Sequence, residues 1–171
     1  MMKKIFVVLI TIGFLVLLSP SCTVKLSGAS TVGLKTINVE YFENNAPLVV
    51  NYLSQQFTEG LKSRIRNTTA LSIVQGESDA SLSGSITGYS IEPISVQATN
   101  SNVAPIAGGE RLTITVNVVY TNTVDKKLSF TQSFPAYADF SGNISDQERA
   151  LVTKINTQLT EDIFNRAFNN W

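Results

Sequence analysis

Between residues 36 and 42, Ile37, Val39 and Tyr41 alternate with Asn38 and Glu40. That period of two predicts an opening strand with one buried face. Asn44, Asn45, Ala46 and Pro47 then read as a helix start, with Pro47 near the first helical position, where its missing N–H costs nothing. Val49, Leu53, Phe57, Leu61 and Ile65 recur at every fourth position, which places them along one side of an amphipathic helix running to about Arg66. Gly60 weakens that helix a little.

Leu71 to Val74 predicts a short β segment, and a longer one begins near Ser81. In the longer segment Leu82 and Ile86 hold one phase, Tyr89 and Ile91 the other, with Gly84 and Gly88 between them. A phase change beside glycines predicts a bulge or bend, and Pro93 makes the far end an edge or an exit. The clearest alternation lies in residues 111–122: Leu112, Ile114, Val116, Val118 and Tyr120 face one way, and Thr113, Thr115, Asn117 and Thr121 the other, broken only by Val119. After a turn at 123–127, Leu128, Phe130 and Phe134 begin a return strand, so the two predict an antiparallel hairpin.

Ser145 and Glu148 have the spacing of a capping box, and Asp146 adds negative charge where a helix dipole favours it. Val152, Ile155, Leu159, Ile163 and Ala167 form a stripe widened by Leu151, Phe164, Phe168 and Trp171. That stripe must bury against the apolar face of the sheet. The predicted fold class is α+β: a two-layer sandwich, with two helices packed on one face of a mixed four- or five-stranded sheet.

The N-terminus has a different pattern. Lys3 and Lys4 precede an apolar run over residues 5–18, and Ser19, Pro20 and Ser21 end it with small residues. The run is shorter than the roughly 20 apolar residues needed to cross a bilayer core, so residues 1–21 read as an export signal. Cys22 follows directly and is the only cysteine, so it has no partner within the chain for a disulfide. Signals of this kind resemble those of bacterial lipoproteins, in which the cysteine receives acyl chains such as palmitate. Ser21 fits the residue before the cut, while Ser19 stands where leucine is usual and Pro20 is atypical. The expected layout is a signal over 1–21, a lipidated tether over 22–34 and a single α/β domain over 35–171.

Removing Lys3 and Lys4 from the 13 basic residues leaves 11 against 13 acidic ones, a net charge of −2. No clustered basic surface marks nucleic-acid binding. Only 15% of residues are charged, below the typical quarter, so the surface is polar but weakly charged. There is no histidine, which removes the usual general base and the usual zinc ligand. No phosphate-cradling G-x-x-x-x-G-K-[ST] occurs, and Gly108-Gly109 precedes a strand, the wrong context for one. The carboxylate pairs Glu77 with Asp79 and Glu161 with Asp162 read as solvated charges in a turn and on a packing helix. No catalytic residue, metal site or cofactor is expected. Two surface features stand out instead: the neutral face of Thr113, Thr115, Asn117 and Thr121, and a long loop at 98–109 carrying Val103, Ala104, Pro105 and Ile106. The loop reads either as a connector or as an apolar tip that inserts into a partner.

With those residues laid out, the chain resembles the LptE family, in the divergent form of Bacteroidetes-like bacteria. The resemblance rests on Cys22, on Ser27-Gly28-Ala29-Ser30 leading to Lys35-Thr36-Ile37-Asn38-Val39, and on Tyr41-Phe42-Glu43-Asn44. It rests also on Ser85-Ile86-Thr87-Gly88-Tyr89, Arg111-Leu112-Thr113-Ile114, and the close at residues 159–165 with Asn170-Trp171. It implies a non-enzymatic lipoprotein of the outer membrane, lipid-anchored on the periplasmic side, that plugs an LptD-type β-barrel, helps it assemble and contacts lipopolysaccharide in transit. Of the family's functional residues only Cys22 carries over; no motif matches Lys62, Arg64, Arg66 or Arg111 to a lipopolysaccharide contact. Thr23 stands where aspartate would retain some lipoproteins at the inner membrane, and residues 23–27 lack the acidic run that exports others to the cell surface. The other class of reading is a stand-alone periplasmic lipoprotein binding a small ligand or peptide between helices and sheet. An envelope hydrolase ranks below both for want of catalytic groups.

Overall fold

The computed structural model describes residues 31–48, 50–94 and 109–168. They form strands β1 (Thr36–Val39), β2 (Glu43–Asn44), β3 (Ser72–Val74), β4 (Ala80–Pro93), β5 (Glu110–Asn122) and β6 (Phe130–Phe140), and helices α1 (Leu53–Thr68) and α2 (Glu148–Phe168). The sheet order is β3-β1-β4-β5-β6, with β2 also paired to β4. β1 runs parallel to β3 and β4, while β4, β5 and β6 form an antiparallel meander. Both helices lie on one face, which is the predicted mixed two-layer α+β arrangement.

Among the described residues the sheet has six strands where four or five were expected, because the opening segment is split. Glu40 N donates to Leu82 O at 2.9 Å and Asn45 N to Ile86 O at 2.8 Å, so β1 and β2 follow one line along β4 with an interruption between them. At that interruption the side-chain phase slips. Tyr41, expected inward, is 58% exposed, and the fully buried residue is Phe42. Its ring packs edge-on to Phe57 at 5.1 Å and lies over Gly84. A side chain at Gly84 would run into the Asn117 carbonyl as well as into that ring, so the close approach of β4 and β5 there requires glycine.

The first helix begins later than predicted, at Leu53 instead of near Pro47. Glu43 and Asn44 are committed to the sheet, and Asn44 Oδ1 accepts from Ala46 N at 3.1 Å, so the chain turns before it coils. Leu53, Phe57, Leu61 and Ile65 are fully buried as expected, whereas Val49 lies outside the described residues. In β4 the register shifts between Ile86 and Gly88, which is the predicted bulge, and it turns Tyr89 inward. Beyond Ile86, the described residues give β4 a neighbour only on the β5 side, so Pro93 sits on an edge.

α2 lies over β5 and β6 and against α1. Val152, Ile155, Leu159 and Ile163 meet Leu112, Ile114, Val116 and Val118 with no exposure on any of them, each worth roughly 1.5–3 kcal/mol of burial. Tyr120 is wedged between Phe130 and Phe168, with ring centroids 5.4 and 5.9 Å away. Trp171, expected in the stripe, lies outside the described residues. The capping box does not form. Residues 144–146 make a 3-10 turn in which Asn143 Oδ1 accepts from Ser145 N at 3.0 Å, and α2 begins only at Glu148, whose carboxylate turns to Tyr89.

Candidate functional site

Because side chains alternate along a strand, the residues between the buried ones share the face opposite the helices. On β5 these are Arg111, Thr113, Thr115, Asn117, Val119 and Thr121. Register sets Glu92, Ser90, Gly88, Ser85, Ser83 and Ser81 of β4 beside them in that order, and on the other side Asp139, Tyr137, Pro135, Ser133 and Thr131 of β6. Among the described residues no helix covers this face. The predicted neutral surface of Thr113, Thr115, Asn117 and Thr121 is therefore the middle of a broader field of hydroxyls and amides.

Charge gathers at one end of that field. Arg111 Nε donates to Asp139 Oδ1 at 2.6 Å and Nη2 to Oδ2 at 2.9 Å, and the guanidinium lies 3.8 Å from the centre of the Tyr137 ring. The two-point bond holds the Asp139 carboxyl below its usual range and lifts Arg111. That pair is self-neutralising, and Glu92, beside Arg111 on β4, adds one further carboxylate at this end of an otherwise uncharged field. Enclosing neutral groups that can find new hydrogen bonds costs less than enclosing charges. The long loop leaves the sheet from the same end: Ile94 N donates to Gly109 O at 2.9 Å, closing its base. Its tip, with Val103 to Ile106, lies outside the described residues, as do Cys22 and the signal segment.

The other residues singled out from sequence are dispersed. Lys62 and Arg66 pair with Glu59 at 3.3 and 3.8 Å, and Arg64 reaches Glu161 at 3.7 Å, all on the helical side and away from Arg111. Asp79 fastens the start of β4 to β1: Oδ2 accepts from Lys35 N at 2.8 Å, Thr36 N at 2.9 Å and Thr36 Oγ1 at 3.0 Å, and the backbone bonds pull its carboxyl below the ordinary range. Glu77 lies in the adjoining turn. Asp162 is pushed upward by burial and by neighbouring Glu161. No group of three or more metal-binding side chains occurs among the described residues. Two polar features escaped sequence reasoning, the Tyr89–Glu148 bond at 2.6 Å and the buried amide of Asn156. Each joins positions distant in sequence, or sits within an apolar stripe, and has no local signature.

Two helices backing one side of a mixed sheet whose other side no described helix covers define a small two-layer α+β module. The chain belongs to the LptE family, described as lipopolysaccharide-assembly, whose model matches residues 34–167. This is a non-enzymatic assembly family. Among solved structures it is similar to rare lipoprotein B from Shewanella oneidensis, at 14% identity and TM-score 0.53, covering 77% of this chain and 92% of that one. It is similar too to an uncharacterized lipoprotein B from Nitrosomonas europaea, at 11% identity and TM-score 0.52, covering 77% and 80%. A hypothetical protein from Chlamydia trachomatis shares the fold at 9% identity and TM-score 0.53, covering 78% and 95%. At those identities the likeness is one of fold alone. No curated protein sequence matches.

Proposed function

We propose that the protein is a non-catalytic plug and assembly partner of an LptD-type outer-membrane β-barrel that carries lipopolysaccharide to the cell surface. In this reading residues 1–21 are removed, Cys22 is acylated, residues 22–34 tether the domain, and it works on the periplasmic side of the outer membrane. The observation that carries the reading is the helix-free sheet face, uncharged except at one end, in a chain of a lipopolysaccharide-assembly family. A hydrophilic barrel wall can replace water at hydroxyls and amides without stripping isolated charges. Lipopolysaccharide itself is expected to meet the complex and not a preformed pocket of this domain alone.

The reading of a small ligand held between helices and sheet meets an interlayer space filled by Ile37, Phe57, Leu82, Ile114, Val116 and Ile155, all without exposure. A tagged full chain purified in mild detergent is expected to bring down a large barrel in near-equal amount, identified by mass spectrometry. Recovery without a barrel overturns the proposal. Cys22→Ala is expected to release the protein from the outer-membrane fraction; equal fractionation of variant and wild type overturns the anchor.

A further inference from the structure

At the end of the sheet opposite the base of the long loop, two turns stand side by side. In one, Leu34 N donates to Thr31 O at 3.0 Å and Gly33, with φ at +82°, lets the chain reverse, which leaves Val32 88% exposed. In the other, buried Asn122 accepts through Oδ1 from Val124 N at 3.0 Å and Asp125 N at 2.7 Å, and Thr123 Oγ1 donates to Asp79 O at 2.8 Å; Val124 is left 55% exposed. A side chain at Gly33 would come within 3.1 Å of Val124 Cγ1, so the two turns touch. A lone exposed valine is ordinary, but two on adjoining, hydrogen-bonded turns make a small apolar tip. Lys126 and Lys127 follow on the second turn, exposed and, among the described residues, in no ion pair. The Asp125 carboxylate between them and Val124 accepts from Lys127 N at 3.0 Å.

We infer that this tip rests on the phospholipid surface that holds the acyl chains of Cys22, with Val32 and Val124 at headgroup depth and the two lysine stems snorkelling to phosphates. The inference depends on the acylation of Cys22 proposed above and goes beyond it by fixing which part of the domain meets lipid. Thr31 stands nine residues after Cys22, so the tether reaches at most about 30 Å. β5 alone is 13 residues long, roughly 40 Å, which puts the loop end at Glu110 beyond that reach. Of the surfaces within it, the sheet face is assigned to the barrel wall, and the outer helical face carries the Glu59–Lys62 and Arg64–Glu161 pairs. The tip instead joins exposed apolar groups to cations with no carboxylate partner, which the boundary of headgroups and acyl chains accepts. Two valines are too small a contact to bind a membrane unaided. The anchor makes the contact intramolecular, and that is what lets it form.

Acylation occupies Cys22, so one introduced cysteine is the only free thiol of the chain and can carry an environment-sensitive fluorophore. The full chain is purified from membranes with Val124→Cys or, as control at the loop end, Ser141→Cys, then labelled and returned to vesicles of phosphatidylethanolamine and phosphatidylglycerol containing a lipid-borne quencher. Quenching at position 124 and not at 141 is the expected result. Val32→Asp should lower the docked population about tenfold, the equivalent of one valine's burial, and leave the unfolding midpoint level because Val32 is exposed. Quenching equal at the two positions, absent at 124, or indifferent to Val32→Asp overturns the inference. A chain mass without acyl groups defeats the anchor and the inference with it, whereas an acylated chain that floats with the vesicles yet is unquenched at 124 defeats the tip alone. Barrel recovery in detergent is a separate readout, because detergent has already removed the lipid surface.

Discussion

Tyr89 Oη donates to Glu148 Oε1 at 2.6 Å, joining β4 just beyond its bulge to the first turn of α2. Tyr89 is 4% exposed while Glu148 is partly exposed, so the bond is partly shielded, and its acceptor is a carboxylate, the stronger kind of hydrogen bond. Tyr89→Phe keeps the ring and removes the bond, and it should destabilise the chain lacking residues 1–22 by about 1.5–3 kcal/mol in urea denaturation. A loss under about 0.5 kcal/mol would show that water replaces the hydroxyl at no cost.

The same hydroxyl sets an alkaline limit. Burial, followed by the bond to Glu148, raises the Tyr89 pKa well above the ordinary tyrosine value, and burial moves Tyr52 and Tyr120 the same way. For a group whose folded pKa is raised, the stabilising contribution is complete below the unfolded pKa and is lost as pH rises from there through the folded value. Stability should therefore hold to about pH 10 and fall above it. Tyr89→Phe should make the alkaline fall shallower; an identical slope in the variant excludes Tyr89 as its source.

Asp79 has the opposite sign. Its backbone bonds from Lys35 and Thr36 lower its folded pKa, so its contribution is present above the unfolded value of about 4 and is lost as pH falls through the folded one. Asp79→Asn should lower the thermal midpoint at pH 7. The gap between variant and wild type should close in acid, where wild-type Asp79 also becomes neutral. A gap that persists at pH 2 points to geometry and not charge.

Local periodicity made most of this fold legible. The β5 alternation and the α2 stripe each concern a single element with one buried side, so hydrophobic positions alone fix their orientation. The first strand was misread at Tyr41 because its phase slip depends on Phe57 and Gly84, which approach Phe42 only in three dimensions. The start of α1 was misplaced for a similar reason: Asn44 is drawn into β2 by β4, more than 40 positions along the chain. The neutral face could be read on β5 as a strip, but its extension over β4 and β6 required the register. Asn156 was invisible because a single amide within an apolar stripe looks like noise until its missing partners are found.

The start of α2 offers a separate check on that limit. Ser145 and Glu148 have capping-box spacing, but the side-chain oxygen that takes a backbone N–H is that of Asn143. Asn143→Ala should cost about 0.5–1 kcal/mol, and Ser145→Ala distinctly less. Denaturation midpoints in the reverse order would restore the capping box and contradict the observed turn.

The uncovered face makes the most direct functional prediction. Asn117 lies at its centre, between Ser85 of β4 and Ser133 of β6, partly exposed and directed away from the helices. Asn117→Lys should change folding stability by no more than about 0.5 kcal/mol, because in the free domain the ammonium reaches water. In a barrel it must either be stripped of water or hold the two surfaces apart. The variant should then co-purify with much less barrel than wild type, while Val124→Lys, on the turn after β5, should behave like wild type. Equal recovery with Asn117→Lys would mean that the partner sits elsewhere on the molecule, and the neutral hydroxyl field would be an ordinary solvated sheet.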